Sequence, residues 1–327
     1  MSKCDDSRMD RPVEASKSRH VRIESESEGQ RIDNFLIRHC RGVPRSHLYR
    51  QIRTGQVRVD GRRIKQTRKL RAGEIVRIPA MKMRQVGEVT VPGNLLDLIS
   101  RSIIFEHEDF LILNKPPGLA VHGGTDLAFG LIDVLRQQQD NSQFELSHRL
   151  DRATSGCLIV ARDRRRNAEL QNLFRHRQIE KQYVALVDGH WPSTQRTIDA
   201  PIAKNIETAG QRRMEVDQSG LSATSHFSVV GRAEEATLVE VSLETGRTHQ
   251  IRVHARHVGH PIVGDNRYGD NRRNAMFRQL GLLRLFLHAR SLAFQWKDQP
   301  IQVCAPTDKP WQAAIDGLGM SYQSAIS

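Results

Sequence analysis

His148-Arg149-Leu150-Asp151-Arg152-Ala153-Thr154-Ser155-Gly156 runs directly into Cys157-Leu158-Ile159-Val160-Ala161, a polar loop followed by an unbroken apolar run. The apolar run predicts a strand, and Thr154-Ser155-Gly156 before it suggests a tight loop. Short apolar runs recur at residues 110–113, 183–187, 237–241 and 285–288, many of them bounded by turn residues. One clear helical pattern stands among them at 167–175, where Leu170, Leu173 and Phe174 give the buried side. Strands outnumber helices without regular alternation, which predicts an α+β fold in preference to a doubly wound one. The loop itself holds Asp151 between Arg149 and Arg152. Nearby positive charge favours the charged form of an acid, and a held carboxylate can act as nucleophile or base. The same residues suit a structural ion pair in a surface loop equally well.

A second polar constellation is Glu244-Thr245-Gly246-Arg247-Thr248-His249-Gln250-Ile251-Arg252-Val253-His254. After the Thr245-Gly246 turn it alternates, which predicts a strand. Thr248, Gln250, Arg252 and His254 then share one face, and Ile251 and Val253 the other. A buried polar face needs partners, and either a catalytic acid or a bound ligand supplies them. Asn114-Lys115-Pro116-Pro117-Gly118 predicts a stiff loop, because the prolines fix φ and remove donors. Lys181-Gln182-Tyr183 opens another strand, with Tyr183 either a stacking residue or an ordinary core aromatic. His249, His254, His257 and His260 lie close in sequence and Asp265 follows, but HExxH and a cysteine partner are missing. No metal site is expected there. Neither GxGxxG nor GxxxxGK[ST] occurs, so no nucleotide cofactor is indicated.

The N-terminal part reads differently. Residues 1–18 have few apolar groups and predict a disordered tail. Ile32, Phe35, Leu36 and Cys40 recur at helical spacing, and a second helix is predicted from 45 to 54, stopped by Gly55. On that helix Leu48 and Ile52 face inward, while Arg45, Tyr49 and Arg53 share another face. Val57 and Val59 with Asp60-Gly61 predict a β-hairpin, and residues 74–78 another strand. Two helices and a small sheet make a module over 19–80. Mixed polarity with Gly87, Pro92 and Gly93 predicts a linker over 81–100, and 101–327 is the second, larger domain. Residues 270–284 carry Arg272, Arg273, Arg278 and Arg284, an RNA contact or a solvated loop.

Charge sharpens the division. The chain of 327 residues has 50 Lys+Arg against 37 Asp+Glu, a net of +13. Residues 19–80 alone hold 16 against 6, so +10 of the surplus falls in the small module. Basicity concentrated in one short stretch suits a polyanion partner. Cys4, Cys40, Cys157 and Cys304 are scattered and form no CxxC pair, which predicts reduced thiols. No apolar run is long enough to span a bilayer, and the N-terminal stretch lacks the apolar core of a signal peptide. The expectation is a cytoplasmic, monomeric protein without membrane contact.

The module resembles the S4 RNA-binding domain in Gln30-Arg31-Ile32-Asp33, Pro44-Arg45-Ser46, Gly55-Gln56-Val57-Arg58-Val59-Asp60-Gly61 and Leu70-Arg71-Ala72-Gly73-Glu74. The larger domain resembles the RluA family of pseudouridine synthases. Its signatures are Leu113-Asn114-Lys115-Pro116, His148-Arg149-Leu150-Asp151-Arg152 with Thr154-Ser155-Gly156, and Lys181-x-Tyr183. They continue with residues 246–254, Gly259-His260-Pro261-Ile262, Gly264-Asp265 and Tyr268-Gly269. Val121-His122-Gly123-Gly124 with Ala128-Phe129-Gly130, and Pro201-Ile202 with Lys204-Asn205, are most similar to the RluC-type enzymes that act on 23S ribosomal RNA. Pro117 departs from the serine associated with that loop.

The resemblance implies a mainly antiparallel mixed-sheet catalytic domain that isomerises uridines without a cofactor or metal. It implies Asp151 as the catalytic carboxylate, supported by Arg252, with Tyr183, Arg247 and Arg149 positioning the base. RNA contacts are expected from Arg45, Tyr49, Arg50, Arg53, Arg58, Lys115 and Arg152.

Overall fold

A computed structural model of the chain describes residues 13–15, 17–24, 27–40, 43–84, 92–123, 130–139, 143–192, 194, 196–206 and 212–322. Most of the expected tail lies outside them, as do Gly124, Ala128 and Phe129 of the segment similar to RluC-type enzymes. Residues 1–90 and 91–327 form two compact units.

The first unit contains β1 (Val13–Ala15), β2 (Arg19–Arg22), α1 (Ile32–His39), α2 (Arg45–Arg53), β3 (Arg58–Val59), β4 (Arg62–Arg63), β5 (Ile75–Ile78) and β6 (Lys82–Arg84). Its four-stranded sheet has the order β2-β5-β3-β4. Register separates the two faces. Val21, Val76 and Val59 stand side by side across three strands and pack with Phe35, Leu36, Leu48 and Ile52. The neighbouring row is His20, Arg77, Arg58 and Arg63, on the other face because strand side chains alternate. Directly opposed like charges are destabilising, so this row is maintained against a cost. Asp60 (φ 46°) and Gly61 (φ 75°) make the expected hairpin turn, and Gly55 (φ 74°) ends α2.

Two expectations about the unit edges are corrected. β1 pairs with β6, so part of the expected tail and part of the expected linker form a ribbon. Strands of three residues carry too little pattern to be read. The rest of the linker, from Gly93, is helix α3 (Gly93–Ser102), which buries Ile99. Pro92 and Gly93 look like breakers, but Pro92 is the N-cap, where a missing N–H costs nothing.

The second unit continues with β7 (Ile103–Glu106), β8 (Phe110–Lys115), α4 (Leu131–Gln138), β9 (Glu145–Leu146), β10 (Ser155–Ala161), α5 (Arg164–Arg175) and β11 (Glu180–Asp188). Then follow β12 (Thr197–Asp199), β13 (Ile202–Ile206), β14 (Arg212–Val216), β15 (Thr224–Arg232) and β16 (Ala236–Leu243). The last elements are α6 (Gln250–His257), α7 (Asn271–Gln279), β17 (Leu287–Trp296), β18 (Gln299–Cys304) and α8 (Lys309–Gly317). A ten-stranded mixed sheet of order β12-β15-β16-β11-β17-β10-β8-β7 dominates, with β18 added to β17 and β9 to β10. β10 and β17 run parallel, and the other named pairs are antiparallel.

Both faces of its central strands are covered, which accounts for the unbroken apolar runs. Leu158 and Val160 of β10 pack with α3 and α4, whereas Cys157, Ile159 and Ala161 pack with α5. Val184 and Leu186 of β11 meet α7 and α8, and Ala185 and Val187 meet α6. Among the described residues no helix is long and apolar enough to cross a membrane.

One row across this sheet supports the loop that carries Asp151. Tyr183, Ala289, Gly156 and Lys115 are successive partners on β11, β17, β10 and β8. Gly156 has φ 108°, and a Cβ there would overlap the Ala289 backbone. We predict that Gly156→Ala costs about 3 kcal/mol, the upper range for one strained backbone position. The urea midpoint then falls with its slope unchanged; an unaltered midpoint would contradict the close approach of β10 and β17.

Candidate active site

Asp151 sits in the loop between β9 and β10, where neighbours fix it from both sides. Leu150 is buried with the α3 and α4 core, and Ala153 packs with the α6 cluster. Thr154 N–H donates to the Asp151 carbonyl at 3.1 Å. Gly118 N–H donates to the Arg152 carbonyl at 2.9 Å, and Arg152 Nε donates back to the Gly118 carbonyl at 2.8 Å. The proline loop and the Asp151 loop are thus clamped together.

Lys115 completes that clamp, which corrects its expected role as an RNA contact. Its side chain is fully buried, and Nζ donates to the carbonyls of Pro116 (2.8 Å), Leu119 (2.9 Å) and Arg152 (3.1 Å). Three acceptors match the three N–H bonds of an ammonium. Burial pulls its pKa down to about 7, Arg284 pulls the same way, and Asp151 opposes them.

The expected strand over 248–254 is also corrected. Gln250–His257 is helix α6, preceded by His249 in the left-handed region at φ 58°. Residues 250–255 are all buried, so Ile251 and Val253 simply face different neighbours: Ile251 meets Ala185 and Val187, and Val253 meets Tyr268. A short run buried all round gives no usable period. Gln250 ties the helix start to β15 and uses its whole amide. Oε1 accepts from Thr245 Oγ1 (2.8 Å) and Arg247 N (2.9 Å), while Nε2 donates to Thr224 O and Ser225 Oγ, both at 2.9 Å.

Arg252 of α6 is the centre of the site. Nε and Nη2 form a two-bond fork with Asp265, at 2.7 and 2.8 Å, and Nη1 donates to Asp151 Oδ2 at 2.8 Å. The Asp265 side chain is fully buried, and its Oδ1 also accepts from the backbone N–H of Arg267 and Tyr268. Burial works against the charge on Arg252, but Asp265 and then Asp151 raise its pKa above the ordinary value. Burial likewise opposes the Asp265 carboxylate, and Arg252 with the backbone donors holds its pKa below the usual range. The Tyr268 ring lies 5.0 Å from the Arg252 guanidinium. Tyr183 is half-buried on β11. Burial first, and the Asp151 charge second, push its phenol up.

The structure separates several residues expected together. Arg149 and Arg152 are exposed, and Arg247 Nε donates to the Ser222 carbonyl at 2.9 Å. His254 bonds Ser225 and Ala200, and His260 bonds the Asp188 carbonyl, whereas His249 faces Asp151. An open cleft of about 560 Å³ is lined by Pro117, Arg213, Arg252, Asp265, Arg267 and Arg284 among others. Asp265 and Tyr268 were legible only as motif letters, and Arg213, from β14, gave no signal. The stretch 270–284 is largely helix α7, capped by Asp270, and Arg273 pairs with Asp188 and Glu235. Arg284 reaches inward to Ser155 and Asp308.

The corrected role of Lys115 is open to test. Lys115→Met removes three hydrogen bonds of about 1 kcal/mol each, so we predict a loss of about 3 kcal/mol in urea unfolding. The slope of log affinity for RNA against log salt stays unchanged, because a buried ammonium neutralises no phosphate. A slope lowered by about one would restore the RNA contact.

Comparison with known proteins places this geometry. The RNA pseudouridylate synthase family matches residues 109–257, a span that holds Asp151, Tyr183 and Arg252. The chain is 42% identical over 301 residues to the ribosomal large subunit pseudouridine synthase C of Pasteurella multocida, covering 90% of this chain and 92% of that one. It is 45% identical over 305 residues to the protein of that name from Salmonella typhimurium, covering 91% and 96%. Among solved structures, human RNA pseudouridylate synthase domain containing 4 superposes with a TM-score of 0.59 at 26% identity, covering 70% of this chain and 97% of that one. The human domain containing 1 gives 0.54 at 30% identity, covering 63% and 83%. With such identity sustained over nine-tenths of its length, the chain belongs to the RNA pseudouridylate synthase family.

Proposed function

We propose that this protein isomerises specific uridines to pseudouridine in large-subunit (23S) ribosomal RNA, with Asp151 as the catalytic carboxylate. One observation carries the reading: Asp151 is tied through a single oxygen to Arg252, a buried arginine that also lines an open cationic cleft. Its relatives named ribosomal large subunit pseudouridine synthase C match nearly the whole chain, which favours that substrate.

The reaction breaks the bond from N1 of uracil to C1′ of ribose, turns the base, and joins C5 to C1′. The proton of C5 is lost and N1 gains one, so substrate and product are isomers. No electrons or groups are exchanged with another molecule, and the chemistry calls for no cofactor. Two routes suit a carboxylate: addition to the nucleotide, or removal of the C2′ proton to give a glycal. Arg252 holds the carboxylate aimed in either case. Tyr183 stacks on the uracil, with Arg149 and Arg247 contributing at the rim. The base must first leave its stack, at roughly a few kcal/mol, less in loops and bulges.

Residues 19–80 act as an S4 RNA-binding module. Arg50, Arg53 and Arg58 are exposed and meet phosphates, with Tyr49 beside them and Arg45 on the same helix. Such contacts position an RNA without reading its sequence. Arg152, exposed at the Asp151 loop, adds to them. The protein works as a monomer in the cytoplasm, where ribosomal RNA is found.

Two outcomes test the proposal. Asp151→Asn binds 23S transcript as wild type does but releases no tritium from [5-³H]uridine in it; turnover by the variant would sink the mechanism. Replacing Arg50, Arg53 and Arg58 together by Gln lowers the salt slope of RNA binding by about two to three, since each phosphate contact contributes close to one. An unchanged slope would remove these residues from the interface.

A further inference from the structure

Among the described residues His249 is the one ion-pair partner of the Asp151 carboxylate besides Arg252. Its Nε2 lies 3.6 Å from Asp151 Oδ2, the oxygen that also takes the Arg252 bond. Its Nδ1 lies 2.7 Å from the hydroxyl of Tyr268. That hydroxyl accepts from Met214 N–H at 3.2 Å and carries one proton that it can donate to Nδ1. Donation to Nδ1 fixes the tautomer with the proton on Nε2, pointing at Asp151. His249 sits at φ 58°, a left-handed conformation uncommon for a non-glycine residue.

We propose that His249 is a positioning residue. Held by Tyr268, it joins Arg252 on Oδ2 of Asp151 and so reserves Oδ1 for the target nucleotide. Oδ1 accepts no hydrogen bond among the described residues, while both fixed partners crowd Oδ2. The inference rests on reading Asp151 as the reacting carboxylate. It adds which of its oxygens reacts and what holds the other.

The charge on His249 follows from its surroundings. Burial lowers its pKa below the ordinary 6.5, Asp151 opposes, Arg252 and Arg267 lower it further, and Asp265 raises it. Tyr268 faces Nδ1, and the Arg213 guanidinium lies 5.1 Å from the centre of the Tyr268 ring. At neutral pH the ring is uncharged. As pH falls through its pKa, an imidazolium joins Arg252 at Oδ2, withdraws basicity from Asp151 and slows the reaction.

The test is single-turnover tritium release from a [5-³H]uridine-labelled 23S transcript, followed from about pH 5 to about pH 9. His249→Asn keeps the backbone, because Asn tolerates the left-handed region. The variant loses between about tenfold and a hundredfold in rate above pH 7, the scale of a misplaced reacting group, and lacks the acid limb of wild type. Tyr268→Phe removes the donor that favours the neutral ring, so its limb moves to higher pH. A His249→Asn enzyme with the wild-type rate, or a slower one that keeps the limb, would overturn the proposal. If that variant fails to fold, an unmoved limb in Tyr268→Phe overturns it instead. Absence of tritium release by wild type at every pH would strike the underlying reading of Asp151, a result distinct from these.

Discussion

Arg252 is the residue on which the site depends. Its guanidinium is nearly buried between two carboxylates, with a fork to Asp265 and a single bond to Asp151. Stranding a buried charge costs about 3–5 kcal/mol, so the arginine and Asp265 must be kept together whatever Asp151 does. Asp265 is saturated by that fork and by two backbone donors, and cannot rotate away. Asp151 is the more exposed of the two acids and takes one hydrogen bond from the guanidinium. That asymmetry makes one carboxylate structural and leaves the other available for chemistry. Lysine in place of Arg252 would hold either acid but lacks the planar fork that holds both.

The sheet supplies what this trio cannot. Asp151 is carried by a loop that would wander without Leu150 in the core and without the Lys115 clamp on the Arg152 carbonyl. Beneath it the row from Tyr183 to Lys115 passes through Ala289 and Gly156, the two smallest residues available. Their size lets β10 and β17 approach, and their place in the row separates Tyr183 from the buried ammonium. The register of β11 against β17 shifts between Gln182 and Tyr183, and such irregularities are over-represented next to active sites.

Much of this was legible in the sequence where one physical cause dominated. The runs at 110–113 and 157–161 announced strands, and Asp60-Gly61 announced its turn, because left-handed backbone selects few residues. Asp151 stood out by the charges around it, although the partner it uses is Arg252, a hundred positions away, and not its neighbours in the loop. Where two causes compete the pattern misleads. Residues 250–255 alternate like a strand because all six are buried, so polar and apolar side chains alike face protein and no solvent side marks the helical period. Lys115 looked like a phosphate contact because composition says nothing of burial. Arg213 and Arg284 join the cleft from distant elements, and no local pattern reports such convergence.

The most direct test of the central claim is a pseudouridine map of 23S ribosomal RNA, made by carbodiimide labelling and primer extension in cells lacking this protein. Cells given back the wild-type chain or the Asp151→Asn chain would be mapped beside them. The account predicts stops that vanish on deletion and return with wild type alone. A map unchanged by deletion, or one restored by the Asn variant, would contradict it.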